Sequence, residues 1–386
     1  MTIASGARVV LGYVEEVTHG VTPAAPILKT LRTTSRNVNL EKEILVSQEV
    51  RSTRFRADVR HGFNSVAGNP GFQLSLVDYD DFLQYGLGSS GWVSVTTGVT
   101  TLDATAPSTF SRAAGSFITD GFRPGDWITV SGFVAGANNG LFLVLTVAAL
   151  SITVSAVTLV TEAGTGDELI LVQGKRLNAG QTLTTITLER QFQDVTQFQP
   201  FRGVAINQTQ ISVTPKAIAG GSFTLLGMSA GAMDVVSVSG SPPTAPSTNT
   251  PFAAFEGGLY ENGILNAVVT SIEFTVNNNR SLEGVIGSRF SPDVFEGDAI
   301  VTGTMTVFFE NATMFNKFVN ETESSIWLKL LAPNLTDFMV FVFPRVKYTG
   351  GSMDPPQRGP VPLVMPFEAL EHATYAVPIY IQRSNV

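Results

Sequence analysis

The pentapeptide Gly227-Met228-Ser229-Ala230-Gly231 has the spacing of a nucleophile elbow. In that motif a serine on a sharp strand-to-helix turn is activated by a histidine and an acid. The chemistry needs a helix directly after the serine, whereas Met233-Asp234-Val235-Val236-Ser237-Val238 alternates polar and apolar residues as a strand does. An esterase would reveal itself by covalent labelling at Ser229, but the local pattern argues against an enzyme. The three histidines, His19, His61 and His372, lack metal-ligand spacing, and with no Cys the chain offers no thiolate ligand, thiol nucleophile or disulfide. The acidic pairs Glu15-Glu16, Asp80-Asp81 and Glu321/Glu323 lack the spacing of a calcium loop and read as helix caps or solvated faces. No glycine-rich loop ends in Lys-Ser or Lys-Thr, and the sequons at Asn207, Asn311, Asn320 and Asn334 carry no weight without secretion. No residue pattern calls for a cofactor or a metal.

The elements carrying these residues are mostly strands. The 386 residues include 24 Lys+Arg against 32 Asp+Glu, a net charge of −8, with only 15% charged and 44% hydrophobic residues. An acidic chain does not grip nucleic acid by neutralising phosphates; low charge with 36 Gly describes a β-rich, buried or assembled protein. The start, MTIASGARVVLGYVEE, lacks the basic-then-apolar order of a secretory signal. Leu141–Val160 is uncharged and long enough to span a bilayer, yet it is rich in β-branched residues and alternates over Ser151–Ala156. We therefore expect two adjacent buried strands and no membrane partner. Further strands are expected at Trp127–Phe133, Leu141–Val147, Ser151–Val157, Leu183–Glu189, Gln208–Thr214, Ser222–Leu226, Thr270–Val276, Ile300–Phe309, Phe338–Phe343 and Tyr375–Gln382. Two helices are expected: Val77–Leu87, capped by Asp78 and ended by Gly88, and Asn311–Asn320, capped by Asn311 with Met314, Phe315, Phe318 and Val319 on its core face.

A shift of 235 residues lays Val50–Gly68 on Val285–Gly303 without a gap. Eight of the nineteen positions are identical, among them Val50/Val285, Arg54/Arg289, Phe55/Phe290, Asp58/Asp293, Val59/Val294, Val66/Val301 and Gly68/Gly303. Chance supplies about one or two. Upstream, a one-residue slip pairs Thr34-Ser35 with Thr270-Ser271. The sequence thus predicts a duplicated unit of strand, long loop, strand and helix. Residues 1–91 and 181–238 form the first repeat and 252–386 the second. Residues 92–180 form an inserted small all-β domain, and the Pro/Ser/Thr-rich 239–251 a linker.

Several segments resemble the tail tube (major tail) proteins of long-tailed, non-contractile bacteriophages. They are Leu28-Lys29-Thr30-Leu31-Arg32, Glu49-Val50-Arg51-Ser52, Ala57-Asp58-Val59-Arg60-His61-Gly62 and Asp78-Tyr79-Asp80-Asp81-Phe82-Leu83. Pro344-Arg345-Val346-Lys347-Tyr348-Thr349-Gly350-Gly351 and Pro366-Phe367-Glu368-Ala369-Leu370 are similar to the closing region of that family. The resemblance implies an all-β fold of sandwich or barrel type with two short helices, assembled as stacked rings around a DNA-conducting channel. Each tube domain of the family lends four strands to an inner barrel and six domains make a ring, so a duplicated chain implies trimeric, pseudo-sixfold rings. Implied partners are copies of the chain, a tape-measure protein, tail terminator and baseplate or distal tail proteins, with DNA passing through unbound. The inserted domain resembles an outer decoration. By family analogy and charge, the loops Ser47–Ser65 and Leu282–Ala299 are the expected inter-ring or inter-subunit contacts, through Arg51, Arg54, Asp58, Arg60, Arg289, Asp293, Glu296 and Asp298. The second repeat lacks three arginines of the first, since Arg51, Arg56 and Arg60 correspond to Ile286, Ser291 and Phe295. A β-rich surface or adhesive module, with the insert as its binding domain, is the alternative; a secretion signal or glycan binding would favour it.

Overall fold

A computed structural model describes residues 3–56, 58–155 and 158–385. It is mostly β: one large sheet system, a separate seven-stranded sheet and a two-stranded ribbon, with three short α-helices. Within the expected motifs, Ala57 lies outside the described residues, as do Ala156 and Val157 at the end of the Ser151–Val157 strand.

Each half of the chain builds a four-stranded ladder, and the two ladders share a register. In the first, Val38 of the strand Val38–Val46 faces Gly68 of Val59–Gly68. Gly68 in turn faces Leu225 of Gly220–Ala230, whose Gly227 faces Val204 of Gln197–Val213. In the second, Phe274 of Val269–Asn277 faces Gly303 of Ile300–Phe308. Gly303 faces Phe367 of Pro362–Ala369, whose Ala369 faces Val346 of Phe338–Tyr348. The irregularities match too. The ladder slips between Ile186 and Leu188 in one half and between Ser324 and Ile326 in the other. Such one-residue bulges are specific features that bend a strand locally. Gly68 and Gly303 occupy the same crowded rung: an added Cβ would lie 2.5 Å from the Asn37 carbonyl oxygen or 2.4 Å from the Phe367 ring. Only glycine lets the chain approach that closely.

The halves join edge to edge. Gln208 through Val213 pairs antiparallel with Asn277 through Ile272, so eight strands form one continuous face. A second layer covers its inner side. In the first half it contains Val9–Glu15 and Ile186–Phe192; in the second, Gly258–Glu261, Ser324–Leu331 and Tyr380–Arg383. Alternating apolar side chains fill the gap, with Phe72 stacked on Phe223 at 4.3 Å in one half and Phe274 edge-on to Phe343 at 5.0 Å in the other. Area removed from water at about 25 cal/mol per Å² makes this shared core the main stabilising term.

The helices Asp80–Gly86 and Ala312–Val319 flank the core. Asn311 caps the latter through the Thr313 N–H at 2.9 Å, and Met314, Phe315 and Phe318 pack inward, while Val319 is exposed. Asp78 does not cap the former. Its carboxylate is taken by Arg32 at 2.6 Å and by the Ser75 hydroxyl, so the helix starts after Tyr79 with no side-chain cap. A third helix, Phe117–Asp120, is a single turn capped by Ser116, too short to show a period. The strands Gln197–Val213 and Phe338–Tyr348 run longer than expected, because Pro200, Gly203 and Pro344 bend the chain without ending it. Two of the expected strands also fail, in whole or in part. Met233–Val238 is not a strand and only Asp234 bridges to Phe198; Tyr375–Ile379 turns instead, leaving Tyr380–Arg383 as the strand.

Residues 96–172 carry the seven-stranded sheet around a core that includes Phe110, Phe117 and Ile128. Gly140–Val147 and Ser151–Val154 are adjacent antiparallel strands here, with Val144 facing Val154. No helix among the described residues is long and apolar enough to cross a membrane. This unit emerges from the first half yet leans on the second. Trp92–Val93 and Lys175–Asn178 pair with each other, and the latter pairs with Tyr380–Arg383. Buried Asp126 holds buried Arg176 at 2.9 Å, and the Gln382 amide bridges Trp127 and Gln173. Lys329 lies 3.0 Å from the Trp127 ring centre, and burial lowers its ammonium to about 8.

Candidate assembly surfaces

Among the described residues, the two terminal edges and one broad face of the eight-strand ladder remain open. The segment Gln208–Val213 has neighbours on both sides. Its counterpart in the second half continues from Tyr348 into Ser352–Met353 and pairs on one side only, with Leu363 and Val364. At the other extreme, Val38–Val46 pairs only with Val59–Gly68. Unpaired N–H and C=O groups on such edges are templates for another strand. The face turned away from the core follows the pleat: Ile272, Phe274 and Val276 point inward, Glu273 and Thr275 outward. Thr302, Thr304, Thr224, Gln210 and Ser212 continue this polar surface. Its charges include Glu41, Glu273, Glu368 and Lys347. Period-two alternation in the sequence contains this signal, but only pairing reveals that the outward positions of both halves share one surface.

The two long loops differ in how they are held. The ribbon rung Leu282–Val294 occupies the place in the second half that Val46–Val59 occupies in the first. In the second half the hairpin bends onto the first half. Leu282 and Val294 pack with Leu183, Ala205 and Met228. The Asn278 amide donates to the Gly86 carbonyl at 2.9 Å, and Arg280 Nη1 to the Ile206 carbonyl at 2.8 Å. Burial pushes the Arg280 guanidinium down, partly offset by Glu296 at 3.5 Å. In the first half the hairpin continues Val38–Val46 and Val59–Gly68 with a register shift between Lys42 and Ile44, and Val50, Phe55, Ile44, Leu45 and Val59 are all at least half exposed.

The candidate charges divide accordingly. Arg51 pairs with Glu49 at 3.1 Å, Arg54 lies over the Phe55 ring, and Asp58 accepts from the Val59 N–H. Arg60 is exposed opposite Leu45. These contacts stay inside one hairpin. In the second loop, Asp293 meets His19 Nδ1 at 2.7 Å, the Arg289 carbonyl accepts from the Asn64 N–H at 2.8 Å, and the Asp298 carbonyl accepts from Asn279. No sequence signal links His19 to Asp293 across 274 residues.

The groups considered for chemistry have structural occupations. Ser229 sits inside the strand Gly220–Ala230 opposite Arg202, and no helix follows it. His372 stacks on Tyr375 at 4.2 Å. Glu16 is neither cap nor solvated: it is buried and accepts from Thr185, Thr187, Gly20 and Gly203. Asp80 pairs with Arg383 at 2.7 Å and Asp81 accepts from Tyr13, while exposed Glu323 pairs with Arg345. Among the described residues no group of three or more acidic or histidine side chains is placed to hold a metal.

A family model described as phage tail tube protein matches residues 6–364. The chain belongs to the phage tail tube protein family. It is a structural protein of the virion, located in the tail, and it assembles with copies of itself into a tube that joins other tail components. Comparison with curated proteins returns no match.

Proposed function

We propose that three chains close into a pseudo-sixfold ring, that rings stack into the tube of a siphophage tail, and that DNA passes along its channel during ejection. One observation carries this reading. The junction between the halves is a strand pairing, Gln208–Val213 with Ile272–Asn277, and the counterparts of both partners are open edges of the same chain. Carrying the internal register across to the next chain pairs Met353 with Val38 and Ser352 with Asn39. Every junction around the ring is then alike. The halves act as two tube domains, and eight strands per chain become twenty-four per ring. At ~4.8 Å spacing and roughly 40° tilt this gives a backbone diameter of about 48 Å, open to duplex DNA.

The outward polar face then lines the channel. Threonine, serine and glutamine offer no apolar grip, and the glutamates Glu41, Glu273 and Glu368 outnumber Lys347 there, so phosphates are repelled rather than held. The inserted domain adjoins the second layer through Lys175–Asn178 and Tyr380–Arg383, which supports reading it as an outer decoration. The tape-measure protein fills the channel before DNA, and terminator and distal tail proteins take the end rings. Electron microscopy of the purified protein tests the reading: tubes whose rings contain three copies support it, and six separate copies per ring refute it.

A further inference from the structure

The two hairpins are the same element in two states, one folded down within its chain and one open. The folded one shows what the open one lacks. Val294, only 3% exposed, is held against Met228 and Ala205 of the neighbouring half, whereas its identical counterpart Val59 is 51% exposed. By ladder position, the second-half counterparts of Met228 and Ala205 are Leu370 and Lys347. Leu370 borders a cleft of about 610 Å³ that also includes Ala299 and Ile379. Ala299 matches Asn64, whose N–H binds the second loop at Arg289. A cleft thus opens at the corresponding place beside the second half, with Leu370 where the first half has Met228.

Resting on the ring reading above, we infer that the hairpin Val38–Val46/Val59–Gly68 folds onto the second half of the adjacent chain in the same ring, seating Val46 and Val59 against that chain's Leu370. The occupant is a second copy of this protein because the equivalent cradle of the first half already accepts the matching second hairpin. Arg54, Phe55, Asp58 and Val59 recur as Arg289, Phe290, Asp293 and Val294. Charge fits as well. The second half has no equivalent of the loop bearing His19, since only residues 262–268, with the short strand Ile264–Leu265, separate Gly258–Glu261 from Val269–Asn277. Lys347, which stands where the first half has Ala205 and lies 3.8 Å from Glu323 within the chain, is the positive group that would face Asp58 instead. The docking is lateral, between neighbours in one ring, and ties each chain to the next beyond the strand edge.

The chain contains no cysteine, so paired cysteines report single contacts without background. Val59→Cys with Leu370→Cys tests the hairpin, and Asn39→Cys with Ser352→Cys tests the ring edge. Upon oxidation of assembled protein, both pairs are expected to give covalent dimers and trimers and nothing larger, while each single-cysteine variant gives none above dimer. Trimers from the edge pair with no cross-linking of the hairpin pair overturn this inference and leave the ring standing. A ladder beyond three chains from the hairpin pair also overturns it, since the hairpin would then bridge rings. No cross-linking from either pair overturns the ring reading and this inference with it.

Discussion

Truncating the same residue at its two occurrences separates contacts made within the chain from contacts made between chains. Val294→Ala removes two methyl groups from a site that is 3% exposed. At about 0.8 kcal/mol per buried carbon, with a small cavity term, the dilute chain should lose about 2 kcal/mol. Val59→Ala acts on a side chain that is 51% exposed, so the dilute chain should lose less than about 1 kcal/mol. Docking against the next chain would cover the remainder, worth roughly 0.8 kcal/mol per junction. Three junctions make about 2.4 kcal/mol, or a roughly 60-fold weaker ring equilibrium. Urea titration of dilute protein followed by tryptophan fluorescence measures the first quantity; sedimentation velocity across a concentration series measures the second. Equal destabilisation of the dilute chain by both variants would refute the argument, as would a Val59→Ala ring that assembles like the parent.

Three further outcomes follow from the geometry. Burial alone would raise the Glu168 carboxyl, but N–H groups of Thr165, Gly166 and Leu102 bind it and hold it at about 2. Its stabilising contribution is therefore complete above the ordinary carboxylate range and lost as pH falls from about 4.5 toward 2, so Glu168→Gln should flatten the acid limb of a thermal-unfolding profile. Asp126→Asn leaves the Arg176 guanidinium buried and uncompensated; about 3–5 kcal/mol should be lost at the insert's anchorage, read as faster proteolysis near residues 92–95 and 173–180. Replacing Glu41, Glu273 and Glu368 together by Lys should make assembled tubes retain DNA at low salt and release it as salt rises, and unchanged retention would remove these residues from the channel wall.

The β class was legible because Ile272–Val276 and Ser151–Val154 alternate at the period of a pleated strand. Strand ends were less so. Pro200, Gly203 and Pro344 carry the local signature of a break, and only the bulged ladder shows that the strands continue through them. The identities Val66/Val301 and Gly68/Gly303 fall on matching rungs, because a crowded glycine position constrains sequence strongly. Charged loop residues were visible by type, yet the difference between Asp58 and Asp293 was not. It depends on His19, brought close only by the folded chain. Likewise, an open edge is a property of what fails to pair, which no local window contains. Asp78 misled for a related reason: a distant Arg32 outcompeted the backbone for its carboxylate.

The insert departs from one half of the chain and is bolted to the other through the Gln382 amide on Trp127 and Gln173 and the Tyr380 hydroxyl on the Pro124 carbonyl. It therefore acts as a brace across the internal seam. Any hinge motion there would have to break the three-way Gln382 amide bridge and the Tyr380 hydroxyl bond. In the ring proposed above, bending of the tube would then fall at the seams between polypeptides, and each protomer would behave as a stiff segment of an articulated pipe.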